Sequence, residues 1–174
     1  MSTTAEMAEK TRKQLIDKYI LNADYSDVET QANGINHLAF ITDKVHETID
    51  FYTKVVGLKL LRVRPLDGHP ESTMIFFDMG RDELLAFLLL ADVHDKSTFG
   101  TGGVSHFALS ITDEQFSGFK ARAEARGIKY RTITHEILKS ISAVDPNGLE
   151  VELSVWNMNP EDMSQKKELT HPTR

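Results

Sequence analysis

Two histidines stand at the same point in two copies of one pattern. Gly34-Ile35-Asn36-His37-Leu38-Ala39-Phe40 recurs as Gly103-Val104-Ser105-His106-Phe107-Ala108-Leu109; Thr42-Asp43 recurs as Thr112-Asp113, and Gly57-Leu58-Lys59 as Gly127-Ile128-Lys129. A histidine inside an apolar strand is costly if it merely fills core, since an unpaired buried polar group loses ~1–3 kcal/mol. For either residue alone, a ring satisfied by a backbone carbonyl is the plain account. Planted twice at equivalent positions, the pair reads instead as the start of a metal site. Strand periodicity puts Ile35, His37 and Ala39 on one face, and groups Val104, His106 and Ala108 likewise. The small neighbours Ala39 and Ala108 leave room beside each ring.

A carboxylate completes the set. The turn Asp145-Pro146-Asn147-Gly148 leads into a last strand on which Glu150 and Glu152 share a face. A solvent-facing pair on an edge strand is the bland alternative. Two imidazoles and one carboxylate on one side of an ion make the facial arrangement of non-haem Fe(II) oxygenases, which leaves positions for a chelating substrate and dioxygen. His37, His106 and Glu152 are therefore the expected metal ligands. The first-half counterpart of Glu152 belongs on Leu84–Leu90, a run with no ligand, and Asp82 and Glu83 fall in the turn before it. The expected count is three protein ligands, not four.

A period of about seventy residues in two copies is a duplicated half-domain rather than a solenoid. Each copy reads as strand, helix, then three strands. In the first, Ile35–Thr42 is a strand. Asp43 caps a helix whose Val45, Ile49, Tyr52 and Val56 recur at three and four, and Gly57 closes it. Leu58–Val63, Thr73–Asp78 and Leu84–Leu90 follow as strands, with Pro65–Ser72 as a loop and His69 in its turn. In the second, Val104–Ile111 is a strand and Asp113 caps a helix bearing Phe116, Phe119 and Ala123. Ile128–Thr132, Leu138–Val144 and Leu149–Trp156 supply the rest. The expected class is α+β: two βαβββ modules in tandem, residues 34–91 and 103–156, forming a cleft around a metal site. An N-terminal helix over residues 4–21, a polar linker to residue 33 and a polar tail over 157–174 flank them.

Composition narrows the setting. The chain has 174 residues, the size of one domain, and no cysteine, which excludes disulfides and thiolate chemistry. A net charge of −6 without a basic cluster argues against nucleic acid as a partner. No apolar run nears the ~20 residues of a membrane span, and no signal peptide is legible, so a cytoplasmic protein is expected. The extra N-terminal helix suggests subunit contact and a homo-oligomer.

These copies, with His37, His106 and Glu152, resemble the vicinal oxygen chelate superfamily. It includes glyoxalase I, methylmalonyl-CoA epimerase, fosfomycin and bleomycin resistance proteins and type I extradiol dioxygenases. The similarity runs from about Gly34 to Trp156. Ile133-Thr134-His135, Ile141, Asp145-Pro146-Asn147-Gly148 and Glu152 follow the C-terminal signature of the extradiol branch, except that Ser142 stands where the family carries a tyrosine. The resemblance implies an Fe(II)-dependent dioxygenase that opens a small catecholic aromatic ring with dioxygen, with Mn(II) or another divalent metal as the alternative ion. It implies catalytic roles for His94, in the linker before the second ligand strand, and for His135, near the substrate; an exposed strand-edge residue is the other reading of His135. A glyoxalase-like isomerase or lyase, and a non-catalytic binder of aromatic ligands, are the alternative functions. Arg62 and Arg64 could line the cleft for an anionic substrate or be ordinary exposed charges; His46, His69 and His171 read as surface residues.

Overall fold

Each sequence copy folds as a four-stranded mixed sheet with its own helix. In the first, β1 (His37–Ile41), α2 (Val45–Phe51), β2 (Lys59–Leu66), β3 (His69–Gly80) and β4 (Glu83–Leu89) give the order β1-β4-β3-β2. In the second, β5 (His106–Ser110), α3 (Asp113–Glu124), β6 (Tyr130–Thr134), β7 (Leu138–Val144) and β8 (Glu150–Trp156) give β5-β8-β7-β6. In both, the first strand runs parallel to the last, and the other pairs are antiparallel. The α+β class and the tandem modules are as expected. This computed structural model describes residues 4–21, 32–98 and 100–157.

Residues 34–157 form one compact unit, and the helix α1 (Thr4–Ile16) belongs to another. α1 buries none of its residues and passes into a π-helical turn over Asp17–Leu21. The expected linker lies outside the described residues except for its last two, as does the tail beyond Asn157. Among the described residues, no helix is long and apolar enough to cross a membrane.

Alternation decides which face each strand buries. β1 and β5 turn Leu38, Phe40, Phe107 and Leu109 toward the helices, where Tyr52, Phe77, Phe87, Phe119, Ile141 and Val151 form the core. The modules meet through this side: Phe40 stacks on Phe107 with centroids 5.3 Å apart. Tyr52 Oη donates to Asp145 Oδ2 at 3.1 Å, Thr42 Oγ1 donates to Asn147 Oδ1 at 2.6 Å, and Arg122 donates to the carbonyls of Val55 and Val56. Burial, then the charge of Asp145 and the hydrogen bond to it, push the Tyr52 phenol far above its ordinary value.

Three local expectations need correction. Thr112, not Asp113, caps α3, through a reciprocal pair with Gln115 that satisfies two free helix N–H groups. Before α2 no side chain caps the helix; Thr42 Oγ1 accepts instead from the Lys44 N–H at 2.9 Å. Residues 65–72 are no loop: β2 and β3 form a long hairpin closed by Asp67-Gly68, with His69 already paired to Leu66. The left-handed Gly68, φ 77°, permits so tight a connection.

Candidate functional site

His37 and His106 each open the first strand of a module, on the face opposite the core, and both are exposed. β8 lies beside β5 in a register that pairs His106 with Glu150 and Ala108 with Glu152. Because partners across a ladder share a face, His106, Glu150 and Glu152 all point to the open side. His106 Nε2 stands 3.4 Å from Glu152 Oε2, and the carboxylate is the more enclosed of the two, 16% exposed against 47%. That separation suits two donors bound to one ion with ligand bonds of ~2.0–2.2 Å. Ser154 Oγ donates to the other oxygen, Glu152 Oε1, at 2.8 Å and so fixes the plane of the carboxylate.

The third expected ligand is not drawn into this pair. His37 Nδ1 lies 2.8 Å from Asn36 Oδ1, and among the described residues no three histidine or acidic side chains are gathered as a metal group. His37 nevertheless occupies the matching register position, paired with Leu84 as His106 is with Glu150. The same equivalence makes Ala86, partner of Ala39, the counterpart of Glu152. The first module thus offers a methyl group where the second offers a carboxylate. Glu83 is engaged elsewhere, accepting from the Ile35 N–H at 3.3 Å.

Ser142 is the register partner of Glu152, yet its short hydroxyl donates to Glu150 Oε1 at 2.8 Å, an oxygen that also accepts from Arg131. His135 follows β6 on the open side, four positions beyond Arg131, which is level with Glu152. At ~3.3 Å per residue that is about 13 Å along the strand, with two strand spacings of ~4.8 Å besides. His94 lies in an exposed segment without regular structure between β4 and β5. Among the described residues no hydrogen bond or ion pair joins either histidine to the His106–Glu152 pair. One cavity of about 350 Å³ lies between the modules at Gly57, Leu109 and Arg122, and another of about 230 Å³ lies beside Arg131, Ser142 and Glu150. Neither is lined by His37 or His106.

Sequence reasoning missed Asn36 and Ser154, the polar neighbours that hold His37 and Glu152. The alternation of Glu152 with Ser154 was the available signal for the second.

Two mixed sheets, each pairing its first strand with its last, and a histidine at the start of both first strands define a duplicated βαβββ scaffold. Residues 34–153 match the family model of the Glyoxalase/Bleomycin resistance protein/Dioxygenase superfamily, and the chain belongs to that superfamily. Solved structures share the fold. One is a Bacillus subtilis subsp. subtilis str. 168 protein provisionally named a dioxygenase, 22% identical with a TM-score of 0.64; the match covers 73% of this chain but only 42% of that one. Another is a lactoylglutathione lyase from Agrobacterium tumefaciens, 23% identical with a TM-score of 0.53, over 74% of this chain and 99% of that one. A third is TnmS3, an antibiotic-binding protein from Streptomyces sp. CB03234, 17% identical with a TM-score of 0.55, over 74% and 99%. At these identities the likeness is one of fold.

Proposed function

We propose that the protein is a metal-dependent dioxygenase of extradiol type, opening a catecholic ring beside its two hydroxyls. The observation that carries the reading is the unequal ligand supply of the modules: a carboxylate at Glu152, a methyl at the equivalent Ala86. A three-ligand set leaves more of an octahedral ion free than the four-ligand set of a glyoxalase-like lyase. His106 and Glu152 would hold the ion, and His37 would join them once its ring turns from Asn36. Fe(II) in such a set supplies Lewis acidity toward two vicinal oxygens and electron exchange with dioxygen.

The chain's own residues do the rest. Ser154 holds the Glu152 carboxylate in one orientation. Ser142 spends its hydroxyl on Glu150, so substrate orientation rests on shape and on the metal ligands. The proton-carrying role is assigned to His94, in the segment leading to the second ligand strand. His135 is assigned contact with the remote part of a substrate. A non-catalytic binder of aromatic ligands is the second reading, favoured by the hold of Asn36 on His37.

The test is anaerobic loading with Fe(II), then oxygen uptake and ring-fission absorbance with mono- and bicyclic catechols. Oxygen consumption that vanishes in His106→Ala and Glu152→Ala is expected, with at least tenfold loss in His94→Ala. Turnover supported equally by Zn(II) without oxygen uptake would replace this reading with the lyase; tight binding without turnover would replace it with the binder.

A further inference from the structure

The two open sheet faces have opposite chemistry. Register places Ala39, Ala86, Phe76 and Arg62 in one row across the first sheet, and Ile41, Leu88, Met74 and Arg64 in the next. The row through His37 adds Leu84, then Asp78 and Lys59. In the two arginine rows this face is apolar from the histidine strand outward until its far edge, where β2 carries Arg62 and Arg64; in the His37 row Asp78 and Lys59 are the polar members. The corresponding face of the second sheet carries Glu150, Glu152, Ser142, Ser140 and Ser154.

The charges are also unequally spent. Glu150 is paired with Arg131 and Glu152 with His106. Arg64 is held by both oxygens of Asp67, at 2.8 and 2.9 Å. Asp78, the acid on the apolar face, accepts from the Gly80 N–H at 2.7 Å. Arg62 is exposed, and among the described residues no hydrogen bond or ion pair joins its guanidinium; its charge helps to lower the Asp67 carboxyl, which is already committed to Arg64. Among the described residues the face therefore ends in an uncommitted guanidinium, with Lys59 at the same edge in the His37 row, three strand spacings of ~4.8 Å from β1. An arginine side chain reaching back along the sheet covers part of that span and leaves the width of one aromatic ring and a short chain.

We propose that this face selects an aromatic carboxylate: the ring lies on Phe76, Leu84 and Leu88, and the carboxylate forks onto Arg62. The assignment rests on the reading of the open face as the substrate cleft and names the substrate class for it. Apolar contact over Phe76 supplies affinity without direction. A charge-assisted pair with a planar guanidinium supplies the direction, placing the opposite end of the ligand toward His37 and His106. An uncharged aromatic would lose that orientation, and a cation would be repelled.

Calorimetric titration of the full-length protein with 3-phenylpropionate and with 3-phenylpropan-1-ol tests this. The acid should bind about tenfold tighter at low salt, the size of one exposed charge-assisted pair. The gap should narrow at 0.5 M sodium chloride (~4 Å screening length). Arg62→Gln should abolish the preference while leaving alcohol affinity within about twofold, and Arg62→Lys should keep part of it. Phe76→Ala should weaken both ligands alike. Equal affinities, no binding of either compound, or a preference that survives Arg62→Gln would overturn the assignment. Because a carboxylate can itself bind a metal ion, the titration is repeated with EDTA present; a preference that EDTA removes would also overturn the assignment. An acid preference without oxygen uptake would keep this assignment and remove the dioxygenase reading.

Discussion

Ser154, a residue with no chemistry of its own, would set the strength of the proposed metal site. Its hydroxyl donates to the Glu152 oxygen that does not face His106, so the carboxylate approaches an ion from one fixed direction. Removing an outer partner of a ligand typically lowers metal affinity 10–100-fold. Ser154→Ala should therefore weaken Fe(II) or Zn(II) binding about tenfold in a chelator competition, whereas Asn36→Ala should leave it unchanged or strengthen it by freeing His37. Undiminished affinity in Ser154→Ala would mean the carboxylate is positioned by the strand alone. The three candidate ligands were legible because duplication marks the histidines and a turn motif marks the acid. What His37 does was not legible, since its Asn36 contact depends on side-chain rotation that no spacing encodes. The place of His135 was not legible for a related reason. Its distance from Glu152 in sequence runs around the β6–β7 hairpin, which sets it about 13 Å along the strand from the level of Glu152.

Among the elements, the two helices end alike in sequence but not in surroundings. In the first module α2 continues as a π-helical turn over Tyr52–Val56, which Gly57 closes with φ 93°; Gly57 also accommodates Arg122, whose guanidinium would lie 2.9 Å from a Cβ built there. Gly127, at the equivalent place, has φ 65° and nothing within 4 Å. Gly57→Ala should therefore cost more than Gly127→Ala: the left-handed backbone costs each ~1 kcal/mol, and only the first must also displace Arg122 from the Val55 and Val56 carbonyls. Urea denaturation of both variants measures the difference; equal losses would show that Arg122 yields without cost. Glycine punctuation made these ends readable, as it did the strands around them. It failed at Asp67-Gly68, where Pro65, His69 and Pro70 suggested a loop. Both prolines are accommodated near the outer end of β2 and β3, and β2 is an edge strand, which tolerates a missing N–H.

Across the whole 34–157 unit, the modules are joined by a few polar contacts around Tyr52. Its phenol donates to Asp145, which also accepts from the Asn147 and Leu149 N–H groups; Asn147 in turn bonds Thr42 and Thr48. Since the folded phenol is pushed far above the ordinary tyrosine value near 10, folding keeps a proton that the unfolded chain gives up at high pH. The sign follows: the stabilisation is complete below about pH 10 and declines as pH rises beyond it, by ~1.4 kcal/mol per pH unit for this one group. Tyr52→Phe should destabilise the protein by ~1–3 kcal/mol at pH 8, because Asp145 loses a donor while remaining buried. The same substitution removes the alkaline loss specific to this residue. Urea unfolding of both proteins from pH 8 to 11 should therefore give curves that converge above pH 10. Parallel curves would mean that Tyr52 ionises freely in the folded state and that the contact between the modules opens before either module unfolds.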